Sequence, residues 1–213
     1  MNLAEQIARH QVDSVWMPNP QMHKTSWRDW SHYFWASEIL AGFQRVRADK
    51  LKILDVGCYD GWLDFLLLEG RTGYHIDGLE LIPNLCASAR AYAEANKVEN
   101  YRTIEGTLIG SHAYGGAKTR LDYDAVMCFE VLEHIPSEDV PNWLVAMEIR
   151  CKPGGLILLS LPDQKHEDNP QHLWTPTKPV IDELLKHKKG ATVEYKSYPG
   201  TGIPGNFFIQ YLA

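Results

Sequence analysis

The stretch Leu51–Leu66, LKILDVGCYDGWLDFL, limits what this chain can fold into more than any other segment. Leu51, Ile53, Leu54 and Val56 form the short apolar run that a parallel strand buried on both faces requires. The run stops at Asp55-Val56-Gly57, where the chain must turn, and Gly57 and Gly61 frame that turn. Glycine permits positive φ and lets a ligand approach the backbone, and a helix starting near Asp60 aims free N–H groups at the same spot. The segment therefore reads as strand, glycine turn and helix start, with a polar, nucleotide-like ligand expected over the turn. A dinucleotide-clamping turn needs GxGxxG; here the spacing is GxxxG, with Tyr59 where a middle glycine would fall. A nicotinamide dinucleotide is disfavoured on that ground.

After Leu54 the apolar runs recur with helical segments between them, the sequence pattern of a parallel sheet with crossover helices. Strands are expected near residues 51–56, 74–80, 100–105, 123–128, 155–161, 191–198 and 206–212, and helices near 61–69, 83–96, 138–151 and 177–188. Pro153-Gly154-Gly155 reads as a breaker between helix and strand. The last two strands are joined by residues 199–205, too short for a crossover helix, so they should pair antiparallel as a hairpin. The expected fold class is α/β, a mostly parallel seven-stranded sheet with a C-terminal antiparallel hairpin strand. N-terminal helices precede it, with a division into residues 1–48 and 49–213.

Several partner classes are disfavoured. A net charge of −6 argues against a surface that tracks long nucleic acid, the cluster Lys186 to Lys189 notwithstanding. No run approaches the length of a membrane span, and MNLAEQIARHQ carries charges where a signal peptide has an apolar centre, so a cytoplasmic location is expected. Cys58, Cys86, Cys128 and Cys151 form no CxxC pair and read as buried free thiols rather than disulfides or a zinc site. The pattern does not read out an oligomeric state.

DVGCYDG resembles the first motif of the class I S-adenosylmethionine-dependent methyltransferases, an acidic residue followed by GxGxG, with Tyr59 replacing the middle glycine. Phe129-Glu130-Val131-Leu132-Glu133-His134-Ile135-Pro136 resembles the EVLEH segment of relatives that act in ubiquinone-biosynthesis O-methylation. Pro153-Gly154-Gly155-Leu156 matches the family's PGG turn, so the motifs span residues 51 to 161 in order. The resemblance implies a doubly wound, Rossmann-like sheet whose final strand is inserted between its neighbours. It also implies S-adenosyl-L-methionine as cofactor, held by Asp55, Gly57, Cys58, Tyr59, Gly61, Glu80, Leu81, Phe129 and Glu130. Gly106 and Thr107 are assigned to the adenine end, although Thr107 stands where the family usually has aspartate.

Glu80 also has its own argument. An acidic residue about twenty positions past a glycine turn, at the end of the neighbouring strand, is placed to accept hydrogen bonds from ribose hydroxyls. Asp77 competes for that role, but Glu80 follows the apolar Leu79 and has the expected spacing.

If a helical turn begins at Glu130, then Glu130, Glu133 and His134 share one face as i, i+3 and i+4. Two carboxylates and an imidazole suit a divalent ion such as Mg²⁺, Mn²⁺ or Zn²⁺. His166 and His172 follow the fifth strand, and His172 is the choice for a fourth ligand. A similar ExxEH set with a later histidine binds metal in methyltransferases of small-RNA 2′-hydroxyls. Glu133, His134 and His172 are the candidate catalytic groups, either through a metal or as general bases near neutral pH.

The leading expectation is methyl transfer to a hydroxyl, less readily an amine, of a small molecule. Metal-dependent 2′-O-methylation of RNA ends is the enzymatic rival, and a non-catalytic cofactor-binding partner protein is the rival of another class. Acceptor specificity should reside in residues 1–48, 162–176 and 199–205. The aromatics Trp16, Trp27, Trp30, Tyr33, Phe34, Trp35 and Phe43, with His10, His23 and His32 among them, read mainly as packing for N-terminal helices.

Overall fold

The computed structural model describes residues 27–47, 50–69, 71–109, 122–163, 171–198 and 203–213. His10, Trp16, His23, His166 and most of the expected specificity loops lie outside them. Packing divides the chain into two compact units, Met1–Thr119 and Arg120–Ala213.

The first unit opens with helix α1 (Trp27–Arg45), followed by β1 (Leu51–Val56), α2 (Trp62–Leu68), β2 (Tyr74–Glu80), α3 (Pro83–Ala95) and β3 (Tyr101–Glu105). Its strands lie in the order β3-β2-β1, all parallel, with Ile53 opposite Ile76 and Leu79 opposite Ile104. Apolar runs account for this. Leu51, Ile53, Leu54, Val56, Ile76 and Leu79 are almost wholly buried, as strands covered on both faces must be. In α1, His32, Trp35, Ala36 and Leu40 are buried on one helical face, whereas Phe34 is exposed and stacks on Trp30 at 5.3 Å. Arg71 Nη2 donates to Ser37 Oγ (2.6 Å) and Gln44 Nε2 to the Gly73 carbonyl (3.2 Å), tying α1 to the loop before β2.

The second unit holds β4 (Tyr123–Phe129), a 3₁₀ turn (Leu132–His134), α4 (Val140–Arg150), β5 (Cys151–Pro162), α5 (Lys178–Leu185), β6 (Lys189–Tyr198) and β7 (Ile203–Leu212). Its strand order is β4-β5-β7-β6: β4 and β5 are parallel, and β7 runs antiparallel between β5 and β6. The C-terminal hairpin and the insertion of its last strand are both present. The described residues thus hold seven strands, and none of their helices is long and apolar enough to cross a membrane.

One local expectation is corrected. Pro153-Gly154-Gly155 does not separate helix from strand; β5 already begins at Cys151, and the triplet bulges within it. Tyr123 faces Cys151 and Ala125 faces Leu156, so a step of two residues along β4 is matched by a step of five along β5. Gly154 takes φ 71°, and the bulge is held by Gly154 N–H donating to the Ala213 carbonyl (2.9 Å) and Ala213 N–H to that of Gly155 (3.0 Å). All four cysteines are buried and free.

Candidate functional site

In the first unit the site grows from the end of β1. Gly57, Tyr59 and Gly61 have φ of 76°, 56° and 80°, so alternate residues of the turn are left-handed. Tyr59 takes the conformation a middle glycine would have taken, at a cost a bulky residue rarely bears. What offsets it is Glu80. Its Oε2 accepts the Tyr59 N–H (3.0 Å), and its Oε1 accepts those of Leu81 (2.7 Å) and Ile82 (2.8 Å). A single buried carboxyl therefore ties the glycine turn to the end of β2. Burial pushes this carboxyl up to about 7, against the three N–H donors, which favour its charged form. Its backbone carbonyl accepts the Gly106 N–H (2.9 Å), bringing the end of β3 to the same place.

Asp77 belongs elsewhere. Its fully buried carboxyl is held by Arg102 through Nε (2.9 Å) and Nη2 (2.6 Å), with His75 Nε2 at 3.3 Å. Such a two-pronged ion pair fastens β2 to β3. Cys58 turns its thiol inward, 3.7 Å from the Tyr101 hydroxyl, so only its backbone belongs to the turn's open side.

Sequence reasoning missed two buried acids of this turn, Asp60 and Asp64. Asp60 Oδ1 accepts the Trp62 N–H (3.2 Å). Asp64 is the single acid of α2, a helix in which Leu63 through Leu68 are all buried. A lone carboxyl in WLDFLLL was the available signal, because a short helix that is apolar all round buries whatever it carries. Asp64 meets the carboxyl of Asp55, and burial raises Asp55 to about 7 and Asp64 well above the usual carboxylate range.

In the second unit the chain leaves β4 through Glu130, another left-handed residue (φ 57°), whose N–H donates to the Ser160 carbonyl (3.2 Å). The Glu130 carboxyl turns toward buried Asn206 and Ser160: Oε1 accepts Asn206 Nδ2 at 2.7 Å and Ser160 Oγ at 3.3 Å. The expected i, i+3, i+4 face therefore does not form. The turn is 3₁₀, starts at Leu132 and leaves Glu130 outside it.

Glu133, His134 and His172 do come together, each offering a ligand atom within 4.8 Å of the others. The segment carrying His172 is fastened to the turn by Leu173 N–H to the Glu133 carbonyl (2.8 Å) and Trp174 Nε1 to the Leu132 carbonyl (2.9 Å). His134 Nδ1 lies 3.1 Å from the Gln171 carbonyl, and because a carbonyl only accepts, Nδ1 carries the proton. The lone pair is then on Nε2, which lies 3.8 Å from Glu133 Oε1, with the His172 ring edge-on at 5.1 Å between centroids. Glu133 and His172 are buried and His134 half-buried. One carboxylate and two imidazoles, the outer nitrogen of one fixed by a carbonyl, form a donor set that suits Zn²⁺ or another borderline divalent ion.

Comparison with known proteins identifies the family. A family model described as a methyltransferase domain matches residues 26–207. The ubiquinone biosynthesis O-methyltransferase of Xylella fastidiosa (strain M23) is 32% identical over 120 residues, covering 55% of this chain and 44% of that protein. Its counterpart in Rickettsia canadensis (strain McKiel) is 32% identical over 112 residues, covering 52% and 42%. The matches thus span less than half the length of these curated relatives. Among solved structures, magnesium protoporphyrin IX methyltransferase (ChlM) from Synechocystis PCC 6803 with bound SAM has a TM-score of 0.61 at 16% identity, covering 85% of this chain and 79% of that one. WbdD has a TM-score of 0.69 at 17% identity, covering 99% of this chain and 47% of that one. At such identities the likeness is one of fold.

Proposed function

This chain belongs to the methyltransferase domain family, and from that premise we propose that it transfers the methyl group of S-adenosylmethionine to a hydroxyl of a small molecule. The observation that carries the cofactor reading is Glu80, a buried carboxyl locked by three backbone N–H groups beside a turn with three left-handed residues. Glu80 Oε2 receives one of those three, so by lone-pair inventory it still accepts a ribose hydroxyl. Gly57, Tyr59 and Gly61 line the backbone of the same turn with Asp55 and Cys58, while Leu81, Gly106 and Thr107 follow the two neighbouring strands.

A bound sulfonium methyl is already activated, so an in-line nucleophile needs mainly positioning and loss of its proton. His134 supports the second need: with its Nδ1 proton donated to the Gln171 carbonyl, the neutral ring presents Nε2 as a proton acceptor. Glu133 beside it favours the imidazolium that proton abstraction would create. The hydroxyl preference follows the relatives named O-methyltransferases. The net charge of −6 argues against RNA ends as acceptors.

A second reading of the same cluster is supported by the 4.8 Å grouping of Glu133, His134 and His172. These three would hold a divalent ion, which would supply Lewis acidity toward the acceptor hydroxyl. Titration of chelator-treated protein with Zn²⁺ is expected to give one site per chain. His172→Ala should weaken it at least about 100-fold, since losing even an outer-shell partner costs roughly 10–100-fold. Glu130→Ala should leave it unchanged, because that carboxyl is committed to Asn206 and Ser160. Equal loss in both variants would sink this ligand set.

The function itself is tested by calorimetry with S-adenosylmethionine and NAD, then by label transfer from methyl-labelled cofactor to a panel of phenols, aliphatic alcohols and amines, with and without chelator. Binding of S-adenosylmethionine but not NAD, with transfer to hydroxyls, is expected. NAD binding with no S-adenosylmethionine heat would refute the cofactor reading, and transfer to amines alone would refute the acceptor class.

A further inference from the structure

The first unit leaves one strand edge open. β3 lies at the end of the strand order, so β2 is its one neighbour. Two bonds at its ends, Ile76 N–H to the Asn100 carbonyl (3.0 Å) and Gly106 N–H to the Glu80 carbonyl (2.9 Å), fix which of its residues face β2. With Ile76 opposite Tyr101 and Gly78 opposite Thr103, the alternation of a parallel ladder turns the backbone groups of Arg102 and Ile104 toward β2. Those of Tyr101, Thr103 and Glu105 therefore point away from the sheet, and among the described residues nothing bonds to them. Beside this edge, between β3 and the C-terminal half of α3, lies a groove of about 350 Å³ with Ala93, Val98, Tyr101 and Thr103 among its walls. Thr103 Oγ1 is buried and has no partner at hydrogen-bond distance, the Tyr101 hydroxyl being its polar neighbour.

We propose that this edge is the contact by which two copies of the chain pair, β3 against β3 in antiparallel sense, with Thr103 on the two-fold axis. In an antiparallel pair, opposed residues alternate between those that exchange both backbone bonds and those that exchange none. Centred on Thr103, the three outward residues meet as Tyr101 with Glu105, Thr103 with Thr103 and Glu105 with Tyr101, so each of their N–H groups finds a carbonyl. Any other centre strands at least one of the three. An open triplet that reads the same from both ends is self-complementary, which is what an isologous contact requires. The copy also brings a second Thr103 hydroxyl to the axis, and opposed threonines hydrogen-bond across strands. The usual deterrents to edge pairing are missing: Tyr101–Glu105 holds no proline and no lysine. Its two charges are engaged within each copy, Arg102 with buried Asp77 (2.6 Å) and Glu105 with Arg90 (3.4 Å). This pairing is independent of the cofactor reading above.

A contact along one five-residue strand is small beside the roughly 1,200–2,000 Å² of a standard interface, so a weak dimer is expected, with a Kd of about 10–100 μM. Sedimentation equilibrium of the full chain from about 1 to about 500 μM should show the mass rise from 24.3 kDa toward twice that value. Residue-resolved amide exchange locates the contact. Between the two ends of that range the N–H groups of Tyr101, Thr103 and Glu105 should slow by about 3–10-fold, while those of Arg102 and Ile104, bonded to β2 in either state, change little. Thr103→Pro removes the N–H at the axis but none that β2 uses, since that group points outward; the variant should keep its circular dichroism and stay at 24.3 kDa throughout. If it does not fold, the exchange pattern of the parent decides alone. A parent that stays monomeric over the whole range, or three amides that exchange freely at every concentration, overturns the proposal. Slow exchange of the three at every concentration assigns the edge to a segment of the same chain, and a dimer that a folded Thr103→Pro leaves intact places the contact elsewhere; each of these overturns it as well.

Discussion

Glu80→Ala is expected to weaken S-adenosylmethionine binding by at least about 100-fold. The Glu80 carboxyl is the acceptor for the N–H groups of Tyr59, Leu81 and Ile82. Its removal strands three donors around a small buried void, and a stranded buried donor costs about 1–3 kcal/mol. Even one such loss expressed in the bound state, together with the lost ribose acceptor, amounts to roughly 3 kcal/mol, which corresponds to about two decades in Kd. Tyr59 is the sensitive point, because its left-handed backbone is held by the bond to Glu80 Oε2. Glu80→Gln keeps the side chain's volume but sets an amide NH₂ against backbone N–H groups, and it should fall between alanine and the parent. Calorimetry with circular dichroism on each variant separates weakened binding from unfolding. A folded Glu80→Ala with parental affinity would remove Glu80 from the cofactor site.

Gly61→Val is expected to be the most damaging single change to folding in this turn. A Cβ at Gly61 would sit 2.8 Å from the Tyr101 hydroxyl and 2.9 Å from Phe65 Cε2, at φ 80°. Neither ring has room to withdraw. Phe65 packs on Tyr92 at 4.3 Å and on Tyr101 at 4.7 Å between centroids, closing an aromatic cluster behind the turn. Left-handed backbone alone costs an L-residue about 1–2 kcal/mol, and overpacking typically adds about 1–3 kcal/mol. A loss of about 4 kcal/mol lowers Tm by roughly 8–16 °C in a chain of this size. Gly154→Ala is the control, since its φ is 71° but nothing lies within 4 Å of the added Cβ. It should lose only the backbone share, a few degrees in a thermal melt. Equal losses at the two sites would mean that backbone strain, not the aromatic cluster, governs Gly61.

Much of the architecture was legible because it is written in local patterns. The apolar runs of β1, β2 and β4 and the intervening helices announce a parallel α/β sheet, and the short 199–205 connection announces the antiparallel end. Glu80 was legible too, since strand length and turn position fix its distance from Gly57 along the chain. The PGG bulge was not. The same three residues read as a helix breaker until β5 is seen to carry three extra residues opposite Tyr123–Ala125 and to bond across to Ala213.

The sequence by itself determined the strand, glycine turn and helix, the acid at the end of β2, and, together with the EVLEH and PGG segments, the resemblance to the methyltransferase family. Those properties follow from neighbouring residues, whose periodicity and backbone preferences act over a few positions. Only the tertiary structure decided which acid does what. Asp77 went to Arg102, 25 positions away, and Glu130 to Asn206, 76 positions away. Asp64 was drawn against Asp55, and Glu133 and His134 were completed by His172. A buried carboxyl must find a donor, a proton or a cation wherever the fold offers one, and which of these it finds depends on contacts that no local pattern records.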